Sequence, residues 1–299
     1  MKRILSAILI ICIAVFAIAG CNPKVQNNAL VNFSIYEGVD SISDIQKVDL
    51  PNKYAKYCTS YKFTYNSDGF DVKAYISIPL DCSSENQKEC ILYNRGGNFR
   101  LGLLTDTDTA KICTATGRVV IASQYRGCDS GTGKDEFGGA DINDIITLVN
   151  FCENTFDFTD MTDFCTAGVS RGGMMSYMLA RCDLRVKRII AISAVSDLTK
   201  AYNEREDMHP LLEECIGGPP QLLPLEYEKR SAVMWANEIK VPVLMIHSKG
   251  DAQVSYSQAE ELKAKFDKNN TPCKLITYDD SIHGFHEEDI SIIKDWLSR

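Results

Sequence analysis

Only four histidines occur in the 299 residues, and no Cys-x-x-Cys pair or cysteine–histidine cluster is present. Metal sites are built from such clusters at short spacing, so no metal site is expected. Runs of lysine and arginine are also missing from a chain of formal net charge −8. That excludes the electrostatic footprint of a nucleic-acid-binding surface. Internal repeats and low-complexity segments are absent too, and the 45% hydrophobic and 24% charged composition is that of an ordinary globular domain.

No apolar run is long enough for a comfortable membrane-spanning helix; the longest candidate, Ile4 to Ala19, is too short. It follows Lys2 and Arg3 and leads into Ile18-Ala19-Gly20-Cys21. The pattern resembles a bacterial lipoprotein signal, which implies cleavage before Cys21, lipid on Cys21, and a place on the outer face of a bacterial membrane. A plain signal cut near Ala19, or an uncleaved anchor, is the alternative. The polar stretch from Asn22 to Asn32 suits a tether. The expected division is therefore a signal over 1–20, a tether and N-terminal extension over 21–54, and one catalytic domain over 55–299.

Setting aside Cys12 and Cys21 leaves ten cysteines in a compartment that permits disulfides. Cys82 and Cys90 bracket a polar loop and form the expected local pair. Cys113, Cys152 and Cys165 lie in apolar runs where a small thiol packs well.

From residue 59 onward strand-like and helix-like segments alternate. Strands are expected at Tyr61–Tyr65, Val72–Ile78, Cys90–Tyr93, Arg118–Ser123, Asp163–Ala167, Arg188–Ser193, Val243–His247 and Lys274–Tyr278. Helices are expected near 106–115, 141–152, 174–179, 257–267 and 290–297. This implies an α/β fold with a mostly parallel sheet and helices on both faces, and such sheets carry their sites beyond the carboxyl ends of the strands. The stretch over 198–225 interrupts the alternation and is expected to be an irregular, lid-like flap over the pocket.

Gly168-Val169-Ser170-Arg171-Gly172 joins one of those strands to a helix, the layout of a nucleophile elbow, in which glycines permit a crowded backbone that holds a serine hydroxyl clear. Asp251 follows the strand ending at His247, and His283 follows the last strand. The order Ser170, Asp251, His283 is that of an α/β-hydrolase triad. In that arrangement His283 takes the proton of Ser170 while Asp251 fixes the imidazole tautomer. The competing groups are assigned bland roles: His209 to the surface or lid, His247 to strand-end packing, His286 to the last helix, and Asp279 and Asp280 to a solvated loop.

With these residues the chain resembles the catalytic domain of the prolyl oligopeptidase family of serine peptidases. The matching motifs are Tyr93-Asn94-Arg95-Gly96-Gly97-Asn98, Gln124-Tyr125-Arg126-Gly127, the elbow, Ile239 to Val254, and His283-Gly284-Phe285. The resemblance implies an α/β-hydrolase fold and acyl transfer through a serine ester on a peptide or ester substrate, without metal or organic cofactor. Family members usually carry a β-propeller ahead of the hydrolase, and the short segment before residue 55 leads us to expect an open mouth instead. Backbone amides of Gly97 and Arg171 are the expected oxyanion donors. Arg95 stands where the family has Tyr or His, and either donates to the oxyanion or anchors the loop. Ser248 stands where Gly is common. Glu204 and Glu206 in the flap either meet a substrate ammonium group or face solvent. A serine peptidase is the leading expectation. A carboxylesterase on acylated sugars or small esters competes with it, and a non-catalytic surface lipoprotein on the same scaffold is the reading from another class.

Overall fold

In the computed structural model the described residues are 30–99 and 101–299. The expected signal, Cys21 and most of the tether lie outside them. No helix among the described residues is long and apolar enough to cross a membrane.

Nine strands form one sheet: β1 Ser43–Lys47, β2 Cys58–Ser67, β3 Phe70–Pro79, β4 Lys88–Asn94, β5 Val119–Ser123, β6 Thr159–Val169, β7 Arg188–Ile192, β8 Val243–Ser248 and β9 Cys273–Tyr278. Their order is β1-β2-β3-β5-β4-β6-β7-β8-β9. The pairs β1/β2, β2/β3 and β3/β5 are antiparallel, and β5 through β9 run parallel. Central strands such as β5 (VVIAS) are buried along their whole length, which is why they read as continuous apolar runs without alternation. The crossover helices are α2 Asp108–Thr116, α3 Ile142–Asn154, α4 Arg171–Cys182 and α8 Tyr256–Lys268; α9 Asp289–Leu297 follows the last strand, and a one-turn α1 lies at Asn52–Ala55. In α3 the buried Ile145, Leu148, Val149 and Cys152 repeat at helical spacing. Two large apolar clusters result, one on each face of the sheet: Phe63, Ile121, Phe164 and Tyr177 belong to one, and Ile91, Val120, Ile190 and Ile246 to the other. This is the mostly parallel sheet with helices on both faces expected from the alternation, and the α/β-hydrolase arrangement that the resemblance implies.

Three expectations need correction. The packed body begins well before residue 55: Phe33 is fully buried among Tyr61, Phe63, Phe156 and Phe158, with ring centroids 5.2–6.5 Å away, and β1 extends the sheet edge. The stretch over 198–225 is helical rather than irregular. It contains α5 Leu198–Glu204, α6 His209–Ile216 and the start of α7 Pro224–Lys229. Proline opens α6 and α7, and Gly217 in the left-handed region ends α6, so each helix is too short for its periodicity to stand out. Finally, Cys82 and Cys90 are not partners. Cys82 Sγ reaches the Phe158 carbonyl at 3.3 Å, Cys90 Sγ lies 3.5 Å from Cys152 Sγ, and all ten described cysteines are free thiols.

If the segment around Phe33 were a mere tether, its substitution would change stability by no more than about 0.5 kcal/mol. Phe33→Ala is instead expected to lower unfolding stability by about 3–5 kcal/mol, the range for emptying a buried aromatic site, measured by urea denaturation.

Candidate active site

The elbow is built by close approach. A Cβ placed on Gly172 would sit 1.9 Å from the Asn94 carbonyl oxygen, and one on Gly168 would sit 2.3 Å from the Gly172 backbone. Only glycine lets α4 start this close to the ends of β4 and β6. Between them Ser170 is held at φ 57°, ψ −122°, a conformation that L-residues rarely adopt and that a rigid surrounding must impose. That surrounding is visible: Ser170 N donates to the Ile192 carbonyl at 2.9 Å, while Gly173 and Met174 N–H donate to its own carbonyl.

Asp251 and His283, the expected acid and base, arrive from neighbouring strand ends. His283 Nδ1 lies 2.8 Å from Asp251 Oδ2. The other Asp251 oxygen accepts from the backbone N–H of Gln253 at 2.8 Å and of Val254 at 3.1 Å. Burial by itself would raise the Asp251 pKa, but bonds from His247, His283 and these two amides outweigh it and hold the carboxyl well below the usual range. Ser193, at the end of β7, accepts the Gly284 N–H at 3.1 Å and so fixes the loop behind His283. Ser170 and His283 line one cavity of about 730 Å³ together with Gly97, Arg171, Leu198 and Leu212. Ser170 Oγ makes no hydrogen bond among the described residues; in hydrolases that bond often tightens only around a seated substrate.

The backbone N–H groups of Gly97 and Arg171 have no acceptor among the described residues, so two donors are available beside the serine. Arg95 has a different task. Its Nε donates to the Gln124 carbonyl at 2.9 Å, its Nη1 reaches the carbonyls of Gly96 and Asn98 at 3.0 Å, and its Nη2 meets Cys128 Sγ at 3.0 Å. The guanidinium is turned into the glycine loop, which it anchors. The Arg171 side chain is equally committed: Nη1 and Nη2 clasp Asp135 at 2.7 and 2.6 Å, and Nη2 also meets Asp141 at 2.6 Å. Burial opposes its charge, yet the two carboxylates raise its pKa above the usual value. The Tyr125 ring meets both guanidiniums, 5.0 Å from Arg95 and 4.7 Å from Arg171, which gives the tyrosine of the Gln-Tyr-Arg-Gly motif a physical role.

Other histidines stand apart from the serine. His209 stacks on Tyr202 with centroids 3.8 Å apart, and His286 stacks on Tyr278 at 3.7 Å while bonding Asp280 at 3.0 Å. His286 precedes α9 rather than lying within it. Asp279 pairs with Lys249 on the surface. His247 does more than pack: its Nε2 meets the Val254 carbonyl at 2.9 Å and lies 3.4 Å from Asp251 Oδ2. Its spacing of four residues from Asp251 was the available signal. In the helical insertion, Glu204 accepts a bond from Ser255 Oγ at 2.7 Å. The charged pair on the cavity wall is instead Arg205 and Asp207, which bond each other at 2.8 and 2.6 Å while Arg205 Nη1 reaches the Gln253 carbonyl at 3.1 Å.

Residues 105–298 match the model of the prolyl oligopeptidase family of peptidases. Among curated proteins, an uncharacterized peptidase of Bacillus subtilis, YtmA, is 29% identical over 227 residues, covering 75% of this chain and 86% of that protein. Among solved structures, the acylaminoacyl peptidase of Pyrococcus horikoshii aligns with a TM-score of 0.71 at 17% identity, covering 83% of this chain and 42% of that longer one. Acetyl xylan esterase 1 of Thermoanaerobacterium sp. aligns with a TM-score of 0.64 at 16% identity, covering 86% and 87%.

A carboxyl whose folded-state pKa is depressed adds stability above its unfolded value, about 3.9, and loses it as pH falls through the folded value. Wild-type melting temperature should therefore drop steeply below about pH 4. Asp251→Asn should show a shallower drop over the same range, measured by calorimetry at stepped pH.

Proposed function

The chain is a member of the prolyl oligopeptidase family, and on that footing we propose that it is a serine peptidase whose catalytic residues are Ser170, His283 and Asp251. That the protein is a serine hydrolase of this family follows from the matched residues and the peptidase relatives; the roles below are our reading of the site. The observation that carries them is the Asp251–His283 bond of 2.8 Å beside a serine held at φ 57° in the same cavity.

His283 Nδ1 faces Asp251, so Nε2 is the free ring nitrogen. In the first step Ser170 Oγ bonds to the substrate carbonyl carbon as its proton passes to His283 Nε2. Negative charge collects on the carbonyl oxygen, where the amides of Gly97 and Arg171 stabilise it. The carbon–nitrogen bond then breaks as His283 returns the proton to the leaving amine, which leaves an ester on Ser170. Water enters by the same route: its proton goes to His283, its oxygen bonds to the acyl carbon, and Ser170 leaves with the proton. Asp251 stabilises the imidazolium in both halves. Its depressed pKa keeps it anionic throughout the neutral range.

An esterase is the second reading, suggested by a fold likeness to an acetyl xylan esterase that covers 86% of this chain and 87% of that one. The two differ only in the leaving group, and fold does not choose between them. Matched peptidyl amide, peptidyl ester and acetyl ester substrates separate the readings by kcat/KM. Turnover of esters alone would refute the peptidase assignment. A fluorophosphonate should label wild-type protein and not Ser170→Ala. His283→Ala should lower kcat by about 10⁴-fold or more, and Asp251→Asn by about 10⁴-fold, because triad members act as a unit. Persistent labelling of Ser170→Ala would overturn the nucleophile, and absence of labelling in the wild type would favour a binding scaffold.

We further propose that Cys21 carries lipid and holds the enzyme on the outer face of a bacterial membrane. The support is the residue pattern of the leader, with Lys2 and Arg3 before an apolar run and Cys21 after Gly20. Stable anchoring takes more than one acyl chain. Cys21→Ser should therefore shift the protein to the soluble fraction or leave it unprocessed, as read by fractionation and intact mass. Unchanged membrane retention of a processed Cys21→Ser protein would refute it.

A further inference from the structure

A second cavity, of about 440 Å³, lies beside the catalytic one, between α2, α9 and the sheet. Ile91, Ala167, Ile190 and Ile192 supply its floor from the strands, and Ile112 and Ile293 its sides from the helices. The floor isoleucines are buried while Phe285 and Ile290 at the edge are half exposed, so this is an apolar groove whose lining atoms lack the dispersion partners that a packed interior supplies. Its volume falls within the range of small-molecule sites. Of the polar groups on the lining, Lys111 is paired with Asp108 at 3.1 Å, His286 bonds Asp280 at 3.0 Å and Glu287 is exposed at the edge, so the floor and sides select on hydrocarbon.

The two cavities share walls. Tyr93, Asp108 and Phe285 belong to both. Phe285 comes two residues after His283 and is 46% exposed. Gly284 before it has φ +125°, in the region that favours glycine. The Tyr93 hydroxyl has no hydrogen bond among the described residues, so no polar contact pins either ring of the partition. Ile290, half exposed on α9, continues the apolar surface outward.

We propose that this cavity is an acyl-chain pocket. A linear aliphatic acyl group, joined to Ser170 Oγ during turnover, passes between Tyr93 and Phe285 and lies along the floor formed by β4, β6 and β7. The substrate class is then a fatty-acyl ester or amide, with the hydrocarbon on the acyl side of the scissile bond. The inference rests on the acyl-enzyme reading above and adds what its acyl half is.

The test fills the pocket from the side away from Ser170. Ala115 on α2 and Ile293 on α9 line the second cavity and not the first. On p-nitrophenyl esters, wild-type kcat/KM should rise by about tenfold or more from acetate to octanoate, as methylenes enter an apolar pocket. Ala115→Trp should keep acetate turnover within about twofold and lose that advantage. Ile293→Trp provides an independent filling should the first variant fold poorly. In parallel, dansylated undecanoic acid should bind Ser170→Ala protein by fluorescence and should no longer bind once Ala115→Trp is added. A flat chain-length profile in the wild type overturns the proposal, as does an unchanged profile in filled variants that melt like wild type. The binding arm needs no catalysis. Should fluorophosphonate labelling fail, the acyl-enzyme reading falls by itself, and loss of probe binding on filling, or its persistence, still decides the pocket.

Discussion

The contact on which the rest of this molecule depends is the one between the start of α4 and the end of β4, where Gly172 leaves no room for a side chain against the Asn94 carbonyl. Because the helix begins that close, Ser170 is forced out of the ordinary backbone regions and stands at the top of the sheet. The same closeness brings the loop after β4 beside the first turn of α4, so that the free amides of Gly97 and Arg171 border one cavity. A strained backbone of this kind persists only where its surroundings over-determine it. Here they do so through the bond from Ser170 N to Ile192 and the glycine contacts on either side.

Charge does the remaining positioning. Two arginines lie almost fully buried within one neighbourhood, and their mutual repulsion depresses the Arg95 pKa after burial has done so. Asp135 and Asp141 offset the cost at Arg171, and Tyr125 offers its ring face to both guanidiniums. Burying such ions is expensive, and a buried pair contributes little net stability over an apolar replacement, but removing one partner costs about 3–5 kcal/mol. Breaking the cluster would therefore disturb the glycine loop after β4 and the elbow together, since Arg95 anchors one and Arg171 begins the helix of the other. Asp251 is treated similarly: it is surrounded by two histidines and two backbone donors, which hold it ionised and fixed in direction.

The helical insertion joins this machinery at its rim. Arg205 bonds the Gln253 carbonyl and Glu204 accepts from Ser255, so the end of α5 is tied to the loop that carries Asp251. Leu198 and Leu212 from the same insertion wall the cavity over Ser170. The insertion that walls the cavity is thus bonded to the loop that carries Asp251. The same fold is shared by proteins named as a peptidase and as an esterase, so the sheet by itself does not choose the reaction.

The alternation of buried strands and amphipathic helices, the Gly-Val-Ser-Arg-Gly turn, and the acid and histidine after the last two strands were all legible in the chain, because each depends on residues a few positions apart. Periods of two and 3.6, and glycines at a turn, are local facts. Other features were decided only by packing between distant residues. Phe33 fell in an N-terminal extension set apart from the catalytic domain until the rings of Tyr61, Phe63, Phe156 and Phe158 closed around it. The short helices over 198–225 carry too few turns to show a period and are set by what they cover. Cys90 meets Cys152, 62 residues away, and not its sequence neighbour Cys82, because β4 and α3 are brought together by the sheet. Arg95 could have faced the oxyanion or its own loop, and the choice lay with carbonyls at Gly96, Asn98 and Gln124 that only the folded turn directs toward it. Local sequence specifies which backbone shapes are possible, whereas the direction in which a buried side chain spends its hydrogen bonds is settled by partners that tertiary structure alone delivers.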